Sequence, residues 1–148
     1  MSGRGVVMVL VVLGVISGWG TWRWISARNA AIERVGVYQS RFTLTEDHGE
    51  DLGEVQGASS PTVFYRVTLK DAPLGQKLSM HCDWIDPRGQ VAQRRNYETL
   101  TITSESWKTH CKAEFGPASK PGIWAVEMYV LKRQISRSSI RLLQGDKR

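Results

Sequence analysis

Two histidine–cysteine pairs, His81-Cys82 and His110-Cys111, are the residues of this chain whose types and spacing could do chemistry. Imidazole beside thiolate suits zinc or copper, and two such pairs supply four ligands. Both pairs lie in stretches that alternate apolar and polar residues, where neighbours point to opposite faces of a strand. One metal could not collect all four side chains from regular strands. A smaller site on His81 and His110 stays open if their strands are adjacent, with Asp83 or His48 as a third ligand. That defines one alternative, a periplasmic metal-handling domain. The reading nevertheless assigns no metal ligand and no cofactor.

The cysteines carry a second chemistry. Cys82 and Cys111 are the only two in the chain, and both fall at core-facing phase, in strands that could be neighbours or face each other across the sandwich. A bridge needs Cα atoms within roughly 7 Å. It would close a loop of about 30 residues, worth on the order of 3 kcal/mol through the unfolded state. Against the alternative of two buried free thiols, the disulfide Cys82–Cys111 is expected, because the rest of the chain points to export.

Catalysis finds little footing. Ser79, His81 and Asp83 would all share one strand, too regular to converge as a triad. The chain holds no G-x-S-x-G elbow, no H-E-x-x-H and no phosphate-cradling glycine loop. The acidic stretch with Glu46, Asp47, Glu50, Asp51 and Glu54 lacks the alternate-position spacing of an EF-hand. A non-enzymatic protein without an identified small-molecule substrate is expected.

The elements that position these residues begin with Gly5 to Trp22, about 18 positions without a charge, enough helix for roughly 27 Å of hydrocarbon. Trp19, Trp22 and Trp24 crowd one end of it, where indoles favour the headgroup zone. A secretory signal is the competing reading, but Gly18-Trp19-Gly20 makes a poor cleavage site. Residues 1–26 are therefore read as a transmembrane anchor or signal peptide, with the uncleaved anchor favoured, and 27–35 as a helical linker. Gly14 and Gly18 form a GxxxG pair through which another membrane helix could pack. Arg4 before the span and Arg23, Arg28 and Arg34 after it favour a cytoplasmic domain by the positive-inside rule. The cysteines argue for export, and export is preferred: a single-pass inner or thylakoid-type membrane protein with its globular domain in the periplasm or lumen.

Residues 36–148 read as one all-β domain of seven to eight short antiparallel strands. The expected strands are Gly36–Thr45, Thr62–Leu69, Lys77–Ile85, Gln90–Asn96, Tyr97–Thr103, Trp107–Phe115, Ile123–Leu131 and Ser136–Leu143. Residues 46–60 read as a loop, Asp86-Pro87-Arg88-Gly89 as a type I turn, and Trp84, Trp107 and Trp124 as core. The net charge of +6 lies entirely in residues 86–148, which hold twelve basic and six acidic side chains. Its basic groups are scattered and match no recognition motif, so no nucleic-acid partner is expected.

The run Cys82-Asp83-Trp84-Ile85-Asp86-Pro87-Arg88-Gly89, followed by Pro121-Gly122-Ile123-Trp124-Ala125-Val126-Glu127-Met128, resembles small bacterial membrane-anchored Ig-like β-sandwich domains over residues 61–143. It departs from immunoglobulin domains proper in placing Trp84 two residues after the first cysteine. The resemblance implies a structural or binding sandwich and transfers no functional residue. Together these readings describe a single-span accessory protein, a small subunit or assembly partner of a membrane protein complex. A minor pilin-like or secretion-system component ranks below it.

Overall fold

The computed structural model describes residues 20–144. Two compact units result, divided between Arg34 and Val35. The first contains helix α1, residues 20–34, in which Trp22 and Trp24 are exposed and the Arg28 guanidinium lies 5.7 Å from the Trp24 ring centroid. Among the described residues no helix is long and apolar enough to cross a membrane. The expected span from Gly5 lies outside them except at positions 20–22, as do Gly14 and Gly18.

The second unit has eight strands: β1 (Gly36–Thr43), β2 (Glu54–Gln56), β3 (Thr62–Lys70), β4 (Ser79–Ile85), β5 (Val91–Glu98), β6 (Trp107–Glu114), β7 (Gly122–Val130) and β8 (Arg133–Leu143). They form a three-stranded sheet, β1-β3-β6, and a five-stranded sheet, β2-β8-β7-β4-β5. Period-two alternation buries one face of each central strand. Val63, Tyr65, Val67 and Leu69 line β3, and Trp124, Val126, Met128 and Val130 line β7, all at 3% exposure or less.

Trp84 sits at the middle of the core, with Phe42 and Phe115 at ring-centroid distances of 6.1 and 6.0 Å. Polar side chains sew the two sheets together along their margins. Tyr65 on β3 donates to Ser136 Oγ at 3.1 Å and meets Ser138 Oγ at 3.0 Å, both on β8. Tyr97 on β5 meets Thr109 on β6 at 2.9 Å, and burial pushes its phenol pKa up. The Gln93 amide donates to Glu114 O at 2.8 Å and accepts from Glu114 N at 3.3 Å. A side chain thus stands in for a neighbouring strand at the β6 edge, one way to blunt an open edge.

The structure departs from the expected elements in several places. Residues 46–60 are not all loop: Val55 is buried, and β2 pairs with β8 in parallel, the one departure from an antiparallel sandwich. A single valine among polar residues gives no periodicity to read. The two expected strands Gln90–Asn96 and Tyr97–Thr103 merge into β5, and residues 99–106 are irregular. Thr99 and Ile102 there bond the 75–78 segment through Thr99 N to Leu78 O and Ile102 N to Gln76 O, so YETLTIT spends its β-branched residues on a loop clamp. Trp107 is half-buried, at the start of its strand. Finally, a bulge between Val37 and Gln39 shifts the phase of β1, which is why Val37 and Ser40 can share a face.

The turn after β4 forms as expected: Gly89 N donates to Asp86 O at 2.9 Å. Gly122 adopts φ +133°, and a Cβ there would stand 2.9 Å from Pro87 Cγ. Only glycine fits both the backbone angle and the close approach of that turn.

Candidate interaction surfaces

Cys82 on β4 and Cys111 on β6 are joined by a disulfide with Cα atoms 6.5 Å apart and 29 residues of separation. The bond ties the five-stranded sheet to the three-stranded one. Both sulfurs are in the core, and Trp84 Nε1 donates to Cys111 Sγ at 3.3 Å. The expected pairing is thus met, and the sandwich-crossing geometry is the one of the two left open by the strand phases.

The histidines follow from that placement. His81 and His110 each point away from the adjacent half-cystine, so they lie on the outer faces of different sheets. His81 stacks on Tyr129 with centroids 4.4 Å apart. His110 packs edge-on to Phe64, and its Nε2 is 3.6 Å from Glu46. The condition for a shared His81–His110 site, adjacent strands, is not met. No group of three or more His, Cys, Asp or Glu among the described residues could hold a metal ion.

What sequence reasoning missed is a row of charge across the outer face of the five-stranded sheet. Arg94 (β5), Asp83 (β4), Glu127 (β7) and Arg137 (β8) occupy one register line. Arg94 Nε and Nη2 donate to Asp83 Oδ1 and Oδ2 at 2.6 and 2.5 Å, a bidentate fork. Arg137 pairs with Glu127, and Tyr129 donates to Glu127 Oε2 at 2.6 Å. Arginines flank the two carboxylates that would otherwise repel each other. The hydrogen bond from Arg94 lowers the Asp83 pKa, and the Glu127 carboxylate raises that of Tyr129. The available signal was the strand phase of Asp83; its partner needed the β4–β5 register, which periodicity does not contain.

This fork has a pH signature. Asp83 has its pKa depressed in the folded chain, so its contribution is full above the unfolded carboxylate value near pH 4 and is lost as pH falls through the folded value. Asp86 adds in the same direction, held down first by the hydrogen bond from Gln90 N. Asp83→Asn is therefore expected to lower the thermal midpoint at pH 7, by an amount that shrinks as pH falls below about 4. Calorimetry across that range checks it; a constant offset at every pH would break the assignment.

The outer face of the three-stranded sheet is different. Arg41, Arg66 and His110 stand opposite one another across β1, β3 and β6. With Lys108 they line a groove of about 470 Å³ that Glu46 and Asp47 close on one side. Arg66 Nη2 donates to Asp47 O at 2.6 Å. Lysine and arginine from both halves of the chain meet here, so dividing charge along the sequence did not reveal this face.

No family model and no curated protein matches the sequence. In fold the chain is similar to an immunoglobulin-like protein from Pseudomonas aeruginosa, at 13% identity and TM-score 0.53, over 74% of this chain and 97% of that one. It is less similar to a DNA-bound alkylpurine DNA glycosylase from Pseudomonas fluorescens (14% identity, TM-score 0.49), covering 73% of this chain and 30% of that one. A β-glucosidase from Listeria innocua in complex with glucose gives 13% identity and TM-score 0.41, over 72% of this chain and 16% of that one. The first likeness shows an Ig-like sandwich and nothing of its activity; the other two, over small parts of larger chains, carry no argument.

Proposed function

We propose that this chain is a single-span, membrane-anchored, non-enzymatic accessory protein. It carries its Ig-like sandwich on the periplasmic or lumenal side and serves as a small subunit or assembly partner of a membrane complex. The observation that carries this reading is the Cys82–Cys111 bridge between the two sheets. Structural disulfides form and persist in oxidising compartments and are rare where thioredoxin and glutathione act. The uncharged run from Gly5 to Trp22 supplies the means of reaching such a space, and Gly14 and Gly18 supply a face for a neighbouring helix. The outer sheet faces, with their ordered charge rows, offer rigid polar surface of the kind that sets partner choice and orientation.

The test traps thiols in growing cells with acid, then adds a mass-tagging maleimide in denaturant with and without prior reduction. Parallel samples are spheroplasts treated with an impermeant protease. The expected result is no tag without reduction, two tags with it, and loss of the sandwich to protease. Two tags without reduction, on a protein shielded from protease, would place the domain in the cytosol and end the proposal. Mild detergent extraction then addresses the partner: migration as an isolated monomer would remove the accessory-subunit role.

A further inference from the structure

The two ends of the sandwich differ in what their loops expose. At the end where the chain enters at Val35, three connections come together: residues 71–78 between β3 and β4, 99–106 between β5 and β6, and the two-residue turn Leu131-Lys132 between β7 and β8. Backbone hydrogen bonds hold them side by side: Gly75 N to Ile102 O, Thr99 N to Leu78 O, and Leu131 N to Ser79 O. Their tips present Leu74, Leu100 and Leu131, exposed at 57, 78 and 52%. Tyr38, on the β1 bulge at the same end, is exposed at 78%. At the far end the tight tips Pro87-Arg88-Gly89 and Pro117-Ala118-Ser119 carry no large apolar side chain; the exposed apolar residues there, Leu44, Val91 and Ile123 at 53, 51 and 51%, sit just after β1 and at the starts of β5 and β7.

Leu131 makes the placement informative. It has φ +53°, the left-handed region that two-residue hairpin turns normally give to glycine, asparagine or aspartate. A leucine there is strained as well as exposed, and neither state helps the fold. Strain of this sort clusters at functional sites.

We propose that these loops form a surface that rests in the headgroup region of the bilayer, an inference that builds on the anchored reading above. The occupant follows from the chain itself. Only 13 positions separate Trp22 from Val35, and at helical rise they reach roughly 20 Å. The Val35 end is thus the one joined directly to that segment along the chain, and the far loops are reached only through the length of the strands. Leucine tips with a tyrosine beside them suit the apolar–polar boundary, where shallow insertion needs only a few apolar side chains. Lys132 follows Leu131 directly and suits anionic lipid, while the Arg133 guanidinium donates to Val35 O at 2.6 Å. Asp71 and Glu105 are on the same loops, and Glu98 is paired with Lys77 at 3.5 Å, so the contact is apolar first and electrostatic second.

The experiment uses the full chain in phosphatidylethanolamine–phosphatidylglycerol vesicles. Nitroxide is placed on Leu74→Cys, Leu100→Cys or Leu131→Cys, with Arg88→Cys and Ala118→Cys as far-end controls. The native half-cystines are bonded and do not take the label. Power saturation compares access of oxygen with that of a water-soluble nickel chelate. The three leucine positions are expected to show an oxygen-to-nickel ratio at least threefold above the controls. Equal, water-like ratios at all five positions on a chain that floats with the vesicles overturn this surface and leave the anchor intact. A chain that does not float overturns both. Labels open to water in vesicles but shielded in a mildly extracted native assembly assign the patch to a protein partner and overturn the lipid contact.

Discussion

The double substitution Cys82→Ala/Cys111→Ala is expected to lower the unfolding free energy by about 3.5 kcal/mol, roughly a quarter to two-thirds of the stability usual for a domain. The estimate comes from the 29-residue separation: cutting the bridge restores that loop's freedom to the unfolded chain while changing few native contacts. A smaller increment follows from Trp84, whose buried indole N–H loses its sulfur acceptor. Alanine is chosen over serine at both positions because a buried hydroxyl would bring its own desolvation cost. In urea the midpoint should fall by roughly 2 M at the slope usual for a small domain. The reduced parent should fall alongside it, since both lack the same constraint. If reduction moves the midpoint while the double alanine variant does not, the sulfur–sulfur bond is not what holds the sheets. If neither moves, the stability argument for an oxidising location is lost.

The parts of the fold that were legible in the sequence are those where burial is one-sided. Val63, Tyr65, Val67 and Leu69 announce β3, and Trp124, Val126, Met128 and Val130 announce β7, because a half-buried strand must alternate. The same rule put Cys82 and Cys111 inward and left open whether they sat side by side or face to face. β5 defeats it. Of its eight residues only Gln93 and Tyr97 are even partly covered, so an edge strand open on both faces has nothing to alternate. Ile102 misleads in the opposite sense: its side chain is buried, yet its backbone bonds a loop and not a strand. The polar network around Asp83 was hidden for a third reason. Which arginine lies across from a carboxylate depends on strand order and register, and those come from three-dimensional pairing. His81 and His110 are the clearest instance, each beside a cysteine and in the same strand phase in the sequence, yet on opposite outer faces in the fold.

Trp84→Ala should cost more than any other single side-chain truncation in the core, about 3–5 kcal/mol. Trp84 is fully buried and is the largest of the buried side chains. It touches two rings from the opposite sheet, Phe42 from β1 and Phe115 just after β6. Removing it opens a void between two sheets that the disulfide prevents from closing, so the cavity is retained and not relaxed away. Trp84→Phe should recover about half of the loss, since it refills most of the volume but not the N–H contact to sulfur. Trp107→Ala is the internal comparison: half-buried at a strand start, it is expected to cost no more than about 1–2 kcal/mol. The informative measurement is the cycle that combines Trp84→Ala with the double cysteine variant. Residues in direct contact do not add, and without the bridge the sheets can settle toward the vacated space. The combined loss should therefore fall short of the sum by about 1 kcal/mol or more. Simple additivity would mean that indole and disulfide stabilise the sandwich independently, and that the short path from Trp84 to Cys111 plays no part in locking the two sheets.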